Sequence, residues 1–176
     1  MREPDLEQLY ERLERPIYNV VYRWLWNADE AQEIVQEAFV RLWRMRRRVD
    51  MSRVEALVYR IALNLARSRA RSRRIWRWVS LDALRGAAST SGNPEGNLAM
   101  RQDRLQLRRA IEQLPADLRN AVLLCEFSEM SYGQIGELLG VPAGTVGSRR
   151  NRAIRRLTKM MTEGSGSDER PVERPV

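Results

Sequence analysis

Apolar residues recur along most of this chain at the spacing of amphipathic helices, three or four residues apart. Four such stripes precede residue 80, and they lie at residues 6–13, 17–25, 31–45 and 52–74. Pro16 separates the first two stripes, so we expect a helix to be interrupted there. No segment shows the convincing alternation of apolar and polar residues that a β-strand needs. The pattern therefore predicts an all-α fold.

A change of composition divides the chain into two parts. Residues 80–99 are rich in Gly, Ser, Ala, Asn and Pro and lack sustained apolar periodicity, which is typical of a flexible linker. Helical spacing resumes at residue 100, is broken at Pro115 and continues to residue 162. The remaining residues, 163–176, have the composition of a disordered tail. We therefore predict two small helical domains, at 1–79 and 100–162, joined by a flexible linker.

The segment from Ser131 to Leu157 has the features of a helix-turn-helix. Ser131 and Gln134 make a capping-box sequence at the start of one helix, and Gly140 suits its left-handed end. Pro142 can begin the next helix at its first position. That second helix offers polar and basic side chains on its outer face, as a helix that enters the major groove does. An ordinary helical hairpin with a solvated basic face is the alternative interpretation.

The balance of charges favours a polyanionic partner. The chain has 31 basic and 23 acidic residues, which give a net charge of +8. All of the basic residues except Lys159 are arginine, whose guanidinium group suits phosphates and guanine edges. Codon bias in a GC-rich genome is the simpler explanation for arginine in place of lysine. The prediction of a polyanionic partner therefore depends on the net charge.

The residues that the sequence lacks disfavour several classes of function. There is no histidine, and Cys125 is the single cysteine, which leaves no disulfide within the chain and removes nearly every zinc site and histidine-activated nucleophile. No P-loop or EF-hand spacing occurs, so we expect no catalytic residue, metal or cofactor. No apolar run approaches the roughly 18 residues that span a bilayer, and no secretory signal is visible. We therefore expect a cytoplasmic protein without membrane insertion.

Two charged segments of opposite sign stand out in the first half. Residues 60–77 contain seven arginines and no acid. Four of these arginines share one helical stripe that includes Asn64, and they are Arg60, Arg67, Arg71 and Arg74. Such a stripe can follow a nucleic-acid backbone, although it can also be a solvated face. Residues 29–37 contain four acids and no base, and because acids repel DNA we expect them to face solvent or a basic protein partner.

The order of these features resembles the extracytoplasmic-function (ECF) group of bacterial sigma factors, over residues 6–161. The helix of sigma region 2 that docks on the RNA polymerase clamp is similar to ADEAQEIVQEAFVRLWR. The region 2 helix that meets the promoter's minus-ten element is similar to VYRIALNLARSRARSRR. Region 4, which reads the minus-thirty-five element, is similar to the helix-turn-helix and the helices before it. This last similarity is the most specific.

The resemblance implies a protein that joins core RNA polymerase, places it at promoter DNA and helps to open the duplex, with a cognate anti-sigma factor as a further partner. The residues implied in polymerase binding are Glu30, Glu33, Gln36, Glu37 and Phe39. Those implied at the minus-ten element are Arg46, Arg47, Arg48, Arg53, Arg60, Asn64, Arg67, Arg71 and Arg74. Those implied at the minus-thirty-five element are Ser131, Tyr132, Thr145, Ser148, Arg149, Arg150, Asn151 and Arg152. Residues 46–53 and Asn64 would line a pocket for an extruded base.

Three positions depart from the usual pattern of this family. Gly147 stands where a lysine is common, Arg150 where a leucine points inward, and Leu57 where a tryptophan is common. Two other classes of protein stay open. One is a helix-turn-helix transcription regulator that binds duplex DNA as a dimer. The other is an RNA-binding helical protein, which leaves the acidic segment unexplained.

Overall fold

The computed structural model describes residues 1–80 and 98–165, with side chains described over 1–73 and 102–163. Within these ranges the chain forms seven α-helices and two single-turn 3₁₀ helices, and no strand. The α-helices are α1 (Glu3–Leu25), α2 (Ala28–Arg44), α3 (Val54–Ser80), α4 (Leu98–Gln113), α5 (Ala116–Phe127), α6 (Tyr132–Leu139) and α7 (Ala143–Ser165). The predicted all-α fold is confirmed. Most of the predicted linker and tail, at 81–97 and 166–176, lies outside the described residues.

The first helix corrects one prediction. α1 runs without a break through Pro16, which is buried inside it. The predicted interruption is wrong because Leu13, Pro16, Ile17 and Val20 share one buried face of the helix. Burial of that face offsets the backbone hydrogen bond that the proline nitrogen cannot donate.

The helix boundaries differ by a few residues from the predicted domain limits. α3 ends at Ser80, and α4 begins at Leu98, inside the predicted linker. α7 continues to Ser165, so the first residues of the predicted tail are helical. An ion pair of 3.7 Å between Lys159 and Glu163, four residues apart, supports this last part of α7.

The N-terminal half is formed by α1, α2 and α3, which pack against one another. α2 begins after Asn27, whose side-chain oxygen accepts a hydrogen bond of 2.9 Å from the backbone N–H of Glu30. This N-cap satisfies one of the free amides of the first turn. The buried stripes meet in a core that includes Val35, Leu42 and Val58. Burial of these faces fixes which side chains of α2 and α3 remain at the surface.

The C-terminal half contains the predicted helix-turn-helix, in α6 and α7. Ser131 accepts a hydrogen bond from the backbone N–H of Gln134 at 3.3 Å, and the Gln134 side chain accepts one from the backbone N–H of Ser131 at 2.8 Å. Gly140 ends α6 with a φ of 70°, a left-handed conformation that glycine adopts without strain. Val146 and Ala153 form the buried face of α7, as expected.

A second glycine of this half is required for space. A Cβ atom at Gly136 would lie 2.6 Å from the backbone oxygen of Val141 in the turn that follows α6. The backbone N–H of Val141 in turn donates a hydrogen bond of 2.9 Å to the Gly136 oxygen. Gly136 therefore allows the close approach between α6 and the turn that leads into α7.

The two halves share one core. α5 packs against α1, and α6 packs against α3. The cluster of buried apolar side chains is continuous from Leu9 in α1 to Ala153 in α7. The described helices of the two predicted domains thus lie in direct contact.

Candidate nucleic-acid and protein-binding surfaces

The acidic segment predicted to bind a protein partner lies along α2. Glu33 and Gln36 are exposed, and Glu37 is half-buried beside Arg41, which donates a hydrogen bond of 2.7 Å to its carboxylate. This contact lowers the pKa of Glu37, chiefly through the hydrogen bond from Arg41. Val40 follows one turn later with 43% of its surface exposed. We call Glu33, Gln36, Glu37 and Val40 the docking face.

Two residues implied in polymerase binding lie elsewhere. Phe39 is buried in the core, and its ring meets the ring of Tyr10 edge to face at 4.9 Å. Glu30 is half-buried and forms an ion pair of 2.6 Å with Arg73 of α3. Both side chains therefore hold the helices of the N-terminal half together and do not join the docking face.

The arginines of α3 divide between two faces of the helix. Arg73 also donates a hydrogen bond of 3.1 Å to the backbone oxygen of Leu25, at the end of α1. Arg69 lies 3.3 Å from the carboxylate of Glu33. These two arginines thus pair with the acids of α2, a division of the arginines of α3 that the sequence does not reveal.

The opposite face of α3 carries the predicted minus-ten residues. Arg60, Asn64, Arg67 and Arg71 are all exposed, and we call them the basic stripe. Within residues 1–73 and 102–163, none of its three arginines forms an ion pair with a carboxylate. The next arginine of the stripe, Arg74, has its side chain outside the described residues.

The loop before α3 supplies the other predicted minus-ten residues. Arg46 folds back over the ring of Trp43, 4.1 Å from its centroid, and donates a hydrogen bond of 3.0 Å to the Trp43 backbone oxygen. Arg47, Arg48 and Arg53 are exposed. A cavity of about 420 Å³ lies beside this loop and is lined by Arg48, Val49, Asp50, Arg53, Ala56, Leu57, Arg60 and Glu137. Asn64 is not part of its wall, and Glu137 belongs to the C-terminal half.

The outer side of α7 carries four of the predicted minus-thirty-five residues. Ser148, Asn151 and Arg152 are exposed and Thr145 is half-buried, and we call these four residues the reading face. The Ser148 hydroxyl donates a hydrogen bond of 3.0 Å to the Thr145 backbone oxygen, one turn before it. Ser131 is exposed, and its hydroxyl caps α6 as described above.

Two other predicted minus-thirty-five residues point toward α5. Arg150 donates a hydrogen bond of 2.7 Å to Glu126, and this bond raises the pKa of Arg150. Arg149 lies 3.6 Å from the carboxylate of Asp117. Arg150 thus takes the place of an inward-pointing leucine by pairing with an acid of the neighbouring helix. Glu126 and Asp117 are structural residues that sequence reasoning missed, because nothing in the sequence shows which helix α7 faces.

Polar contacts join the two halves where α1 and α3 meet α5 and α6. The indole N–H of Trp24 donates a buried hydrogen bond of 3.1 Å to the side-chain oxygen of Asn120. The hydroxyl of Tyr59 donates one of 3.0 Å to the backbone oxygen of Ser128. Burial raises the pKa of Tyr59, so this phenol stays protonated. We call these contacts the junction.

The junction also reaches the basic stripe. Arg60 donates hydrogen bonds of 3.4 and 3.5 Å to the backbone oxygens of Glu137 and Leu138, at the end of α6. The first helix of the helix-turn-helix therefore contacts one end of the predicted minus-ten surface. Asn120 offers a sequence signal for this junction, because it is a polar residue of α5 that is buried together with Leu118 and Ala121.

Neither a membrane-spanning helix nor a metal site is found in the described part of the chain. No described helix is long and apolar enough to cross a membrane. Within the described residues, no group of three or more His, Cys, Asp or Glu side chains is arranged to hold a metal ion.

The sequence and the fold of this chain are similar to those of known sigma factors. Residues 9–75 match the family described as Sigma-70 region 2, and residues 104–157 match the family described as Sigma-70, region 4. The solved structure of the sigma factor RpoE in complex with the anti-sigma factor NepR from Bartonella quintana is similar in fold, with a TM-score of 0.67 and 23% identity. That similarity covers 90% of this chain and 97% of that one.

The similarity to curated relatives covers most of the chain. The ECF RNA polymerase sigma factor SigE of Mycolicibacterium smegmatis is 29% identical over 163 residues, which are 92% of this chain and 63% of the relative. The chain thus spans less than two thirds of the length of that relative. The ECF RNA polymerase sigma-E factor of Escherichia coli is 33% identical over 158 residues, which are 82% of this chain and 80% of the relative. From this identity, and from the matches to regions 2 and 4 in their order along the chain, we conclude that the chain belongs to the ECF sigma factors of RNA polymerase.

Proposed function

We propose that the chain is an alternative sigma factor that binds core RNA polymerase and directs transcription initiation at a specific set of promoters. The observation that carries this proposal is the arrangement of the N-terminal half. It presents the docking face on α2 and, on α3, the arginines of the basic stripe, none of which is neutralised by a carboxylate within the described residues. One half can therefore bind a protein and DNA at the same time.

The three surfaces have separate tasks in this proposal. The docking face binds the polymerase, with Val40 as an exposed apolar contact among polar and charged ones. The basic stripe follows the minus-ten strand, and Asn64 offers two donors and two acceptors to an unpaired base. The reading face enters the major groove at the minus-thirty-five element, with Arg152 placed for a phosphate or a guanine. None of these tasks is a catalytic step, so we assign no enzymatic activity.

Promoter binding requires the halves to separate. The centres of the two promoter elements are about 25 base pairs apart, which is about 85 Å of B-form DNA at a rise of about 3.4 Å per base pair. In the structure, Arg60 of the basic stripe contacts the end of α6 through hydrogen bonds. The packed form therefore represents the chain before promoter binding, and the junction opens when both surfaces reach their elements.

An anti-sigma factor is the second partner that we propose. The structurally similar RpoE was solved in complex with an anti-sigma factor, and CnrH, also similar in fold, in complex with the cytosolic domain of CnrY. A protein that covered the docking face or kept the junction closed would prevent initiation. Polymerase and promoter DNA share the bacterial cytoplasm, so we place the chain there.

The direct test is transcription in a reconstituted system. The purified chain is added to core RNA polymerase with a library of genomic fragments, and the 5′ ends of the run-off transcripts are mapped. We expect transcripts that begin at defined sites with shared upstream sequences. Absence of such transcripts, together with dimers of the chain that bind palindromic duplexes, would support a helix-turn-helix regulator instead.

The docking face is tested by substituting two of its exposed residues. Glu33→Lys and Gln36→Ala should each weaken association with core polymerase, because both remove an exposed contact of α2. The matched control is Glu11→Lys, which makes the same charge change at an exposed position of α1. If Glu11→Lys weakens association as much as Glu33→Lys, the effect is one of total charge and the docking face is misplaced.

The role of Asn64 is tested on two promoter templates. Asn64→Ala should reduce initiation from a duplex promoter more than from a template whose minus-ten region is already unpaired. Ser68→Ala, at an exposed position one turn later, is the control and should leave both templates unaffected. Equal loss on both templates would assign Asn64 to binding and not to opening.

A further inference from the structure

The cavity of about 420 Å³ beside the loop that precedes α3 is closed by both halves of the chain. Most of its wall belongs to this loop and to the first turns of α3, but Glu137 of α6 lines it from the C-terminal half. Arg60, also in the wall, holds this arrangement through its hydrogen bonds to the backbone oxygens of Glu137 and Leu138. The cavity is therefore complete only when the halves are packed together.

Three arginines of the N-terminal half give this cavity its positive charge. Arg48, Arg53 and Arg60 are exposed, and in the described part of the chain none of them forms an ion pair with a carboxylate. Asp50 also lines the cavity, but one oxygen of its carboxylate already accepts hydrogen bonds of 2.9 and 2.8 Å from the backbone N–H and the hydroxyl of Ser52. Guanidinium groups placed in this way can bind the phosphates of a ligand.

The remaining wall residues add an apolar surface and a carboxylate. Val49, Ala56 and Leu57 are half-buried, so the planar ring of a ligand can lie against them. The side chain of Glu137 is exposed, and among the described residues it forms neither an ion pair nor a hydrogen bond. Its two oxygens can therefore accept two hydrogen bonds from one edge of a base.

Among the purines, guanine matches a carboxylate better than adenine does. The ring N–H and the exocyclic amino group of guanine are neighbouring donors on one edge, so both can bond to the same carboxylate. Adenine has its amino donor beside an acceptor nitrogen, which would face the second carboxylate oxygen. The volume of the cavity also lies within the range of small-molecule sites, which is about 300–1,000 Å³.

We propose that this cavity binds a guanine nucleotide, with its phosphates on Arg48 and Arg53, its ring against Leu57 and the edge of its base on Glu137. Such a ligand contacts both halves at once. Because it binds only the packed form, it stabilises that form relative to the separated one. The effect on initiation rests on the proposed function, in which the halves separate at the promoter.

This ligand differs from the extruded promoter base that the family resemblance places near the same loop. The base enters when the two promoter contacts lie far apart, and Glu137 is then no longer beside the loop. Asn64, which the resemblance places at the base, is not part of the cavity wall. The nucleotide and the promoter strand therefore use the same arginines in two different forms of the chain, and each excludes the other.

Binding is tested by isothermal titration calorimetry of the full chain with GDP, ADP and pyrophosphate. We expect one GDP per chain, with ADP and pyrophosphate bound at least about tenfold more weakly. Arg53→Ala should weaken the binding of GDP and of pyrophosphate alike, since it removes a phosphate contact. Glu137→Gln should remove the preference for GDP over ADP and leave pyrophosphate binding unchanged. Glu129→Gln, at an exposed position before α6, is the matched control and should bind GDP as the unchanged chain does.

The effect on initiation is measured with core polymerase and a promoter that the unchanged chain selects. GDP is used because the polymerase does not incorporate it into RNA. The affinity of the complex for the promoter should fall as GDP is added, by up to about 100-fold when GDP is present at about 100 times its dissociation constant. At the same GDP concentration, the loss should be about tenfold smaller for Glu137→Gln, with each variant compared with itself in the absence of GDP.

The outcomes separate this inference from the proposed function. Thermal unfolding of each variant shows that the fold is kept. If the chain transcribes but does not bind GDP, or if Glu137→Gln binds GDP as tightly and as selectively as the unchanged chain, this inference alone is overturned. GDP binding that leaves promoter affinity unchanged also overturns it, because the ligand then does not join the halves. If the chain binds GDP as expected but gives no start-site-specific transcripts, the proposed function fails and the nucleotide site stands.

Discussion

Both halves of the molecule contain an arginine-rich helix, but the arginines of the two helices differ in which neighbouring acids they pair with. In the N-terminal half, Arg69 and Arg73 of α3 pair with two acids of α2, of which Glu33 belongs to the docking face and Glu30 does not. In the C-terminal half, Arg149 and Arg150 of α7 pair with acids of α5 and hold the recognition helix in place. The comparison shows that the position of an arginine relative to the neighbouring helix, and not the number of arginines, decides which ones form ion pairs within the protein.

The consequence of the pairing also differs between the halves. On α3 the two paired arginines neutralise Glu30 and Glu33, the second of which belongs to the docking face. Arg67 and Arg71 of the basic stripe form no ion pair within the described residues, whereas Arg60 bonds to the end of α6. On α7 the pairing removes two of the predicted DNA contacts and leaves Arg152, Arg155 and Arg156 exposed. The reading face is consequently less basic than the sequence suggests, and three of its four residues are neutral.

The largest effect is expected at Arg73. Arg73→Ala removes an ion pair with the half-buried Glu30 and a hydrogen bond to the Leu25 backbone oxygen. We expect the free energy of unfolding to fall by about 2 kcal/mol, measured by urea denaturation of the full chain. Arg71→Ala, at an exposed position of the same helix, should change it by less than about 0.5 kcal/mol and instead weaken promoter binding. Similar losses of stability for the two variants would show that the division of α3 into two faces is wrong.

A smaller effect is expected at Arg150. Arg150→Ala and Glu126→Ala should each lower the free energy of unfolding by about 1 kcal/mol, and the double variant by less than the sum. Arg152→Ala should leave stability unchanged but reduce the dependence of promoter affinity on salt, by about one unit in the slope of log K against log salt. An Arg150→Ala variant with unchanged stability and a reduced salt slope would place Arg150 on the DNA.

At the junction we expect an effect of similar size on the free energy of unfolding, and this effect depends on pH. The pKa of Tyr59 is raised by burial above its ordinary value of about 10. Because this pKa is higher in the folded than in the unfolded state, the stability that the protonated Tyr59 contributes is complete below pH 10 and is lost as the pH rises further. Between about pH 10 and 11 the unchanged chain should lose about 1 kcal/mol more stability than Tyr59→Phe. Parallel losses for the two proteins would mean that the phenol is not buried between the halves.

The smallest effect concerns the two glycines of α7. Gly144→Ala should stabilise the chain by up to about 1 kcal/mol, because alanine favours the helix and its Cβ meets no neighbour. Gly147→Ala should gain less, since the Tyr132 ring must move to make room. Thermal unfolding of the two variants measures the difference. Equal gains in stability for the two variants would show that the Tyr132 ring moves away from position 147 at no cost in free energy.

Local features of the fold could be predicted from the sequence. Helical periodicity indicates where burial is possible, so most of the helices were expected, and the capping box at Ser131 and the left-handed Gly140 act within a few residues. The stripe with Asn64 follows from spacing alone, because the residues of one helix face are fixed relative to one another. Pro16 shows the limit of this reasoning, since tertiary burial outweighs a local helix breaker.

Contacts between distant parts of the chain could not be predicted in this way. The ion pair between Arg73 and Glu30 joins residues 43 positions apart, and the hydrogen bond between Trp24 and Asn120 joins residues 96 apart. A motif assigned Phe39 to polymerase binding, but the packing of α1 against α2 buries its ring. Such contacts depend on how the helices are arranged, and an amphipathic pattern does not specify its neighbour.

The central claim is that the two packed halves carry promoter contacts that act far apart. Fluorescence energy transfer tests it directly, with one label at Glu11→Cys on α1 and one at Thr158→Cys on α7, both exposed positions, in a chain whose native cysteine is replaced by Cys125→Ala. We predict strong transfer in the free chain and loss of transfer when core polymerase and a promoter are added, as the two contacts move toward a separation of about 85 Å. Unchanged strong transfer in a complex that is actively transcribing would contradict the account.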